Sequence, residues 1–206
     1  MADMDGFKEA ENFGTDKCEK SEGFFLKGAA HADWGVKSRL SRIFNPKSGN
    51  TVMLAFDHGY IMGPTSGLER MDISIVPLIP YADCIMCTRG ALRSIVPPEL
   101  AKPLALRFSA GSTILTELNN ECLVGIDDAI KLDASAIAPM VAIGSTFEAK
   151  TIENLARCAD FTARYGIPTL GVTAVGKDLA RRPLLGVGNT RVRRKRGDVR
   201  EDILLR

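Results

Sequence analysis

Short apolar runs alternate with amphipathic stretches along the chain from residue 51 onward. A short apolar run bounded by turn residues is typical of a buried strand in a parallel sheet, and strands that alternate with helices form βα units. The runs lie at residues 51–57, 83–88, 103–109, 135–142 and 168–175. The pattern therefore predicts an α/β protein built from five βα units.

The stretches between these runs have apolar residues at helical spacing. We expect helical character at residues 67–80, 91–96, 122–132 and 147–165. The last is the strongest, because one of its faces is apolar and Gly166 and Pro168 follow to end it. That face consists of Ile152, Leu155, Ala156, Ala159 and Ala163. Before the first run, apolar residues between Trp34 and Phe44 predict a short amphipathic helix that caps the body.

The number of units sets the expected architecture. A (β/α)8 barrel has eight units in about 250 residues, so residues 36–180 predict a partial TIM barrel made of its first five βα units. The alternative is an open, five-stranded, flavodoxin-like sheet. Residues 1–35 mix charges and glycines without periodicity and predict a partly disordered N-terminal arm. Residues 181–206 hold nine basic and three acidic residues without a strand pattern, which predicts a basic, unstructured tail that looks like the product of a frameshift.

Composition and charge narrow the class of protein. The chain has 206 residues, is 45% apolar and carries a formal net charge of +2, which suits one globular domain. No apolar run reaches the ~20 residues that a membrane helix needs, and the acidic N-terminus lacks a signal-peptide pattern. We therefore expect a cytoplasmic protein without a membrane partner. The basic tail has no aromatic residue for stacking on bases, so we expect no nucleic-acid partner.

The cysteines and histidines give little support for redox or metal chemistry. The five cysteines are scattered, which does not predict a disulfide framework. Cys84 and Cys87 have the spacing of a redox or metal pair, but residues i and i+3 of a strand point to opposite faces. We expect two buried, unreactive thiols there. With His31 and His58 as its two histidines, the chain is not expected to hold a catalytic metal.

The best candidate for chemistry is the end of the first run. Asp57 and His58 follow it directly, and Gly59 lets the chain turn behind them. Residues that do chemistry in α/β folds lie where strands end at their carboxyl side, so Asp57 and His58 are the predicted catalytic residues. The alternative is an aspartate that caps the following turn and an ordinary loop histidine.

Further polar residues follow the other runs. Arg89 and Arg107 lie at the ends of the second and third runs, where a guanidinium binds an anionic substrate or pairs with a neighbouring carboxylate. Ser109 begins a loop of small residues whose N–H groups face a ligand or simply turn the chain. Lys177 follows the fifth run and is either a phosphate contact or a solvated lysine. These residues form the predicted substrate-binding set.

Several separated blocks, in a fixed order, resemble one known family. They are residues 38–47, 52–60, 67–73, 86–90, 93–98, 112–118 and 172–178. The family is that of the 3-hydroxy-5-phosphonooxypentane-2,4-dione thiolases of autoinducer-2 breakdown, within the class I Schiff-base aldolase superfamily of (β/α)8 barrels. The similarity covers residues 32–180 and includes Asp57 and His58. It ends near residue 180, as expected for a chain truncated there.

The resemblance implies an acetyltransferase without a permanently bound cofactor. Such an enzyme converts the phosphorylated diketone and CoA into dihydroxyacetone phosphate and acetyl-CoA, and its intact form is a homo-oligomer. The resemblance gives Asp57 a proton-handling or substrate-orienting role and adds Thr173 to the substrate-binding set.

The resemblance also places the imine-forming lysine of related class I aldolases on a sixth strand. Because no sixth strand pattern follows Val175, we expect this chain to lack that lysine and to be inactive. The alternatives are a class I aldolase for a phosphorylated sugar and a non-catalytic pseudogene product or interaction fragment.

Overall fold

The structure, a computed structural model, describes residues 23–63, 66–113, 119, 121–122, 124–175 and 202–205. The α-helices are α1 (Trp34–Ile43), α2 (Gly59–Met62), α3 (Met71–Ser74), α4 (Arg89–Ile95), α5 (Ile126–Lys131) and α6 (Glu148–Ala163). The strands are β1 (Met53–Ala55), β2 (Cys84–Cys87), β3 (Leu104–Arg107), β4 (Ser109–Ala110), β5 (Glu121–Cys122), β6 (Ala134–Ala138), β7 (Met140–Ile143), β8 (Leu170–Val175) and β9 (Asp202–Leu205). Two 3-10 helices lie at Val76–Tyr81 and Pro98–Leu100.

The main sheet is parallel and its strands follow the order of the chain. β1, β2, β3 and β6 pair in sequence, and β7 continues the line of β6 after an interruption at Pro139, which has no N–H for the ladder. β7 pairs in parallel with β8, and a bridge between Ile137 and Thr169 joins β6 to the start of β8. A flavodoxin-like sheet has the order 2-1-3-4-5. The observed order instead fits an unclosed, partial barrel, as predicted.

All five predicted strands are present, but the helices differ in detail. The segment 67–80 contains only one turn of α-helix, α3, and then the 3-10 helix Val76–Tyr81. Pro77 and Pro80 explain this, because proline removes a helix donor and clashes with the preceding turn. The predicted helix at 122–132 begins only at Ile126, because Glu121–Cys122 forms β5 against β4.

A strand not predicted from the sequence lies beside β8. Asp202–Leu205 forms β9 and pairs antiparallel with β8, with Thr173 opposite Asp202 and Leu170 opposite Leu205. For these four residues the prediction of an unstructured tail is wrong. The rest of that predicted tail, and residues 1–22 of the predicted arm, lie outside the described residues. Residues 23–33 of the arm contain no helix or strand.

The two faces of the parallel sheet carry different apolar clusters. The outer cluster joins strand residues such as Ile85 and Leu106 to the helices that cover the sheet, including Ile79 and Ala129. The inner cluster consists of Ile43, Cys84, Met86, Ala105, Ala136, Ala138, Leu170 and Val172. Apart from Ile43 of α1, its members are strand residues, so this face corresponds to the interior of a barrel.

Cys84 and Cys87 test the alternation directly. Cys84 belongs to the inner cluster and Cys87 to the outer one, so the prediction of opposite faces is confirmed. Burial raises the pKa of each thiol to about 12. Both thiols are therefore protonated and poorly nucleophilic at neutral pH.

Helix α1 covers the amino-terminal end of the inner face. The Asp33 carboxylate caps it by accepting a hydrogen bond from the Gly35 N–H at 2.6 Å. The Arg39 guanidinium donates to the Gly166 carbonyl at 2.9 Å and thereby joins α1 to the turn after α6. A cavity of about 360 Å³ lies between α1 and the strands and is lined mainly by apolar residues.

Helix α6 buries a different face from the predicted one. Its buried residues are Thr151, Asn154, Cys158 and Thr162, whereas the Ile152 side chain is 45% exposed. Burial of the threonines is tolerated because their hydroxyls find partners. Thr162 donates to the Cys158 carbonyl at 2.9 Å, and Thr151 accepts from the Ala142 N–H at 3.1 Å. The predicted end of the helix is confirmed, since Gly166 follows with φ of +62°.

Candidate functional site

A buried ion pair joins the carboxyl ends of β1 and β3. Asp57 shares the inner face with Met53 and Ala55, and Arg107 shares it with Ala105, because side chains alternate along a strand. The Arg107 Nε lies 2.6 Å from the Asp57 Oδ2, and the two side chains are only 2% and 3% exposed. Two of the predicted site residues are therefore brought into direct contact away from water.

Tyr60 extends this pair into a network. Its ring lies beneath the Arg107 guanidinium, with 5.3 Å between the Arg107 Cζ and the ring centroid, which is a cation–π distance. The Tyr60 hydroxyl donates to the Ser109 carbonyl at 3.1 Å, and the Ser109 hydroxyl accepts from the Met140 N–H at 2.8 Å. The network ties the ends of β1 and β3 to the start of β7.

One part of the network has no protein partner. The Arg107 Nη1 is buried and has no hydrogen-bond partner among the described residues. A buried donor that is left unpaired costs about 1–3 kcal/mol. An oxygen atom of a bound ligand would satisfy it, and a guanidinium favours the paired oxygens of a phosphate or carboxylate.

A cavity of about 320 Å³ lies beside this network. Its lining combines an apolar wall with a few polar groups and includes Asp57, Tyr60, Glu69 and Thr88. Two of these groups are already occupied locally: Glu69 accepts from the Gly67 N–H, and Thr88 accepts from the Ala91 N–H at the start of α4. Asp57 and Tyr60 are thus the residues that connect the cavity to Arg107.

His58 and Arg89 do not take part in this network. His58 precedes α2, is half-buried and makes no side-chain capping bond. The Arg89 guanidinium pairs with the Asp128 carboxylate at 2.6 Å, and Arg93 pairs with the same carboxylate at 3.0 Å. The two guanidiniums lower the pKa of Asp128. Arg89 thus forms a salt bridge to a neighbouring carboxylate, which was the predicted alternative to contact with an anionic substrate.

Thr173 and Lys177 are the last two residues of the predicted substrate-binding set. Thr173 follows the inner-face residue Val172 on β8, so alternation places it on the outer face. Lys177 lies outside the described residues. Sequence reasoning did not assign Tyr60, although it stands three residues after Asp57.

None of the described lysines forms a salt bridge with Asp57, whose partner is Arg107. Lys37 and Lys150 lie in the helices α1 and α6, and Lys131 ends α5. Lys27 precedes α1, whereas Lys47 and Lys102 precede β1 and β3. Lys102 donates to the Pro80 carbonyl at 3.3 Å, at the amino-terminal side of the sheet. Among the described residues there is also no group of three or more His, Cys, Asp or Glu side chains that would hold a metal. No helix in that part of the chain is long and apolar enough to cross a membrane.

Comparison with known proteins supports the family resemblance found in the sequence. No family model matches the chain. A 3-hydroxy-5-phosphonooxypentane-2,4-dione thiolase of Photorhabdus laumondii is 54% identical over 182 residues, which cover 88% of this chain and 62% of the relative. An uncharacterised aldolase of Pasteurella multocida is also 54% identical, over 88% of this chain and 63% of that protein. The chain therefore spans less than two thirds of the length of these relatives.

Solved structures lead to the same superfamily. An archaeal fructose-1,6-bisphosphate aldolase, with its catalytic lysine covalently bound to the carbinolamine intermediate of the substrate, is similar with a TM-score of 0.56 and 27% identity. The match covers 69% of this chain and 59% of that one. Such neighbours are class I aldolases of TIM-barrel type, in agreement with the partial barrel described above.

Proposed function

We propose, for a chain homologous to the 3-hydroxy-5-phosphonooxypentane-2,4-dione thiolases and similar in fold to class I aldolases, that Asp57, Tyr60 and Arg107 bind a phosphorylated carbonyl substrate. The observation that carries the proposal is the buried Asp57–Arg107 pair with an unpartnered Arg107 Nη1. The reaction of the complete enzyme is acetyl transfer from the phosphorylated diketone to CoA. Its products are dihydroxyacetone phosphate and acetyl-CoA.

Each group has a role that follows from its chemistry. Arg107 donates to an anionic oxygen of the substrate, since its Nη1 has no other partner among the described residues. Asp57 accepts hydrogen bonds from substrate hydroxyls or takes up a proton from them. Tyr60 holds the guanidinium in place through its ring and through its bond to Ser109. His58 stays a proposed catalytic residue, and Arg89, Ser109, Thr173 and Lys177 stay proposed substrate contacts.

The imine step is the part of the mechanism that these residues do not supply. A lysine forms an imine best where burial lowers its pKa and favours the neutral amine. None of the described lysines pairs with Asp57, whose partner is Arg107. We therefore propose that the chain binds the phosphorylated ketone but forms no imine with it.

Binding is tested by titrating the full chain with dihydroxyacetone phosphate in a calorimeter. Arg107→Lys keeps the charge but removes the planar fork, and we expect at least tenfold weaker binding. Arg93→Lys is the matched control, because Arg93 pairs with Asp128 on the surface, and it should bind like the wild type. Equal binding by the two variants, with both folded by circular dichroism, would contradict the proposed role of Arg107.

The imine step is tested by borohydride reduction in the presence of dihydroxyacetone phosphate, followed by intact-mass measurement. Reduction converts any imine into a stable adduct, and we expect none. A stoichiometric adduct at Lys177 or another lysine would show instead that the chain carries its own Schiff-base lysine.

A class I aldolase acting on a phosphorylated sugar is the second candidate. It is favoured by the similarity to fructose-1,6-bisphosphate aldolases in the solved structures. Dependence on CoA separates the two reactions, because acetyl transfer requires it and retro-aldol cleavage does not. The assay follows release of dihydroxyacetone phosphate with and without CoA, using any longer family member alongside this chain as the active reference. The thiolase proposal also includes a role in autoinducer-2 breakdown, a cytoplasmic location and assembly as a homo-oligomer.

A further inference from the structure

We propose that Cys122 and Cys158 form a reversible disulfide, so that the chain contains an oxidation site separate from the proposed substrate site. Cys122 lies on β5 and Cys158 on the buried face of α6, 36 positions apart in the sequence. Their Sγ atoms are 3.1 Å apart, and both thiols are free. An S–S bond is about 2 Å long, so a contraction of roughly 1 Å between the sulfurs would complete it.

The local charges favour one of the two sulfurs as the nucleophile. The hydrogen bond between the two sulfurs, in which either thiol can be the donor, lowers the pKa of Cys122 and raises that of Cys158. The cations of Arg157 and Lys150 also lower the pKa of Cys122, against an opposing effect of burial and of Glu121. Cys122 is half-buried whereas Cys158 is buried, so an oxidant reaches Cys122 first.

The other described cysteines provide an internal contrast. Cys84 and Cys87 are close in sequence but lie on opposite faces of β2. Burial raises the pKa of both thiols to about 12, so neither forms a thiolate readily at neutral pH. Spacing along the chain would select Cys84 and Cys87, whereas the folded geometry selects Cys122 and Cys158.

The proposed disulfide forms by oxidation with a peroxide, in two steps. The Cys122 thiolate attacks hydrogen peroxide, breaks its O–O bond and becomes a sulfenic acid, releasing hydroxide. The Cys158 sulfur then attacks the Cys122 sulfur and displaces the sulfenic oxygen as water, with loss of the Cys158 proton. In sum, two thiols lose two hydrogen atoms, and one peroxide becomes two waters. A dithiol reductant reverses the change by thiol–disulfide exchange.

The position of the pair connects it to the network at the sheet edge. Cys122 is the cross-strand partner of Ser109 in the β4–β5 hairpin. The Ser109 carbonyl accepts from Tyr60, and its hydroxyl accepts from Met140. A disulfide would therefore fasten β5 to α6 directly beside the residue that holds Tyr60. The disulfide itself does not depend on the proposed substrate.

The test uses the full chain, treated with a slight excess of hydrogen peroxide, alkylated and digested with trypsin without reduction. Cleavage after arginine and lysine places Cys122 in peptide 108–131 and Cys158 in peptide 158–164, while Cys84 and Cys87 share peptide 71–89 and Cys18 lies in peptide 18–20. We expect an intact mass lower by two hydrogen atoms and a linked pair of peptides, 108–131 with 158–164. Dithiothreitol should restore both.

Variants distinguish this pair from accidental oxidation. Cys122→Ser and Cys158→Ser should each abolish the loss of two hydrogen atoms, whereas Cys18→Ser should leave it unchanged. The wild-type peptide map is sufficient by itself if either serine variant fails to fold. Addition of oxygen atoms without a linked peptide, or a link that involves Cys18, Cys84 or Cys87, would overturn the proposal.

Discussion

The buried pair of Asp57 and Arg107 should behave differently from an ion pair at the surface. Their charges lie 2.6 Å apart with side chains at most 3% exposed, which corresponds to a gross attraction of about 6 kcal/mol at an effective dielectric constant of 20. Desolvation offsets much of it, but removal of one partner leaves the other charge buried and unpaired. We expect Asp57→Asn and Arg107→Met each to lower the free energy of unfolding by about 3–5 kcal/mol.

A double-mutant cycle separates this effect from ordinary side-chain loss. The chain with both changes no longer buries a lone charge, so its destabilisation should be well below the sum of the two single changes. Urea unfolding followed by circular dichroism measures all four proteins. Asp128→Asn and Arg93→Met form the control cycle, because that pair lies at the surface and should couple much more weakly. Additive effects at Asp57 and Arg107, or single effects no larger than the control, would refute the reasoning.

Three further predictions use other parts of the fold. Gly166→Ala should lower the free energy of unfolding by at least about 1 kcal/mol, because Gly166 has φ of +62° and an added Cβ would lie 3.1 Å from the Gly35 Cα. As a control, Gly90→Ala lies inside α4, where the nearest contact of an added Cβ is at 3.9 Å, and it should be neutral or stabilising. Thermal melts compare the two variants. Oxidation of Cys122 and Cys158, which are 36 positions apart, should stabilise the chain by about 3–4 kcal/mol through loop closure, seen as a higher urea midpoint that dithiothreitol abolishes. The lowered pKa of Asp128 means that its ion pairs stabilise the fold above the ordinary aspartate pKa, and that this stabilisation is lost as the pH falls through the lowered value. The difference in Tm between the wild type and Asp128→Asn should therefore shrink on acidification. A difference that grows would contradict a lowered pKa for Asp128.

The positions of the five predicted strands could be read from the sequence because each lies in a continuous apolar run. Burial on both faces makes such runs conspicuous, and all five contain a strand in the structure. The ends of the runs likewise located Asp57 and Arg107. Local pattern did not distinguish Arg107 from Arg89, however. Both follow strands, and only the three-dimensional neighbours decide that Arg107 meets Asp57 whereas Arg89 meets Asp128.

The buried face of α6 and the contact between Cys122 and Cys158 also could not be predicted from local sequence pattern. Apolar periodicity favoured the face that contains Ile152, but Thr151 and Thr162 are buried because their hydroxyls have partners in the helix and in the adjacent strands. The Thr162 hydroxyl lies 2.9 Å from that of Thr169, on the segment that leads into β8. Cys122 and Cys158 are brought together by the packing of a hairpin on a helix, which the spacing of cysteines along the chain does not reveal.

The antiparallel pairing of β9 with β8 has a topological consequence. A strand offers two hydrogen-bonding edges, and in the structure those of β8 are taken by β7 and by Asp202–Leu205. In a closed (β/α)8 ring each neighbour of a strand is parallel to it. Any parallel segment that extended the sheet at β8, from the same molecule or from another, would have to compete for that edge and expel β9. Pairing with these four residues therefore covers that edge of β8 and opposes edge-to-edge association.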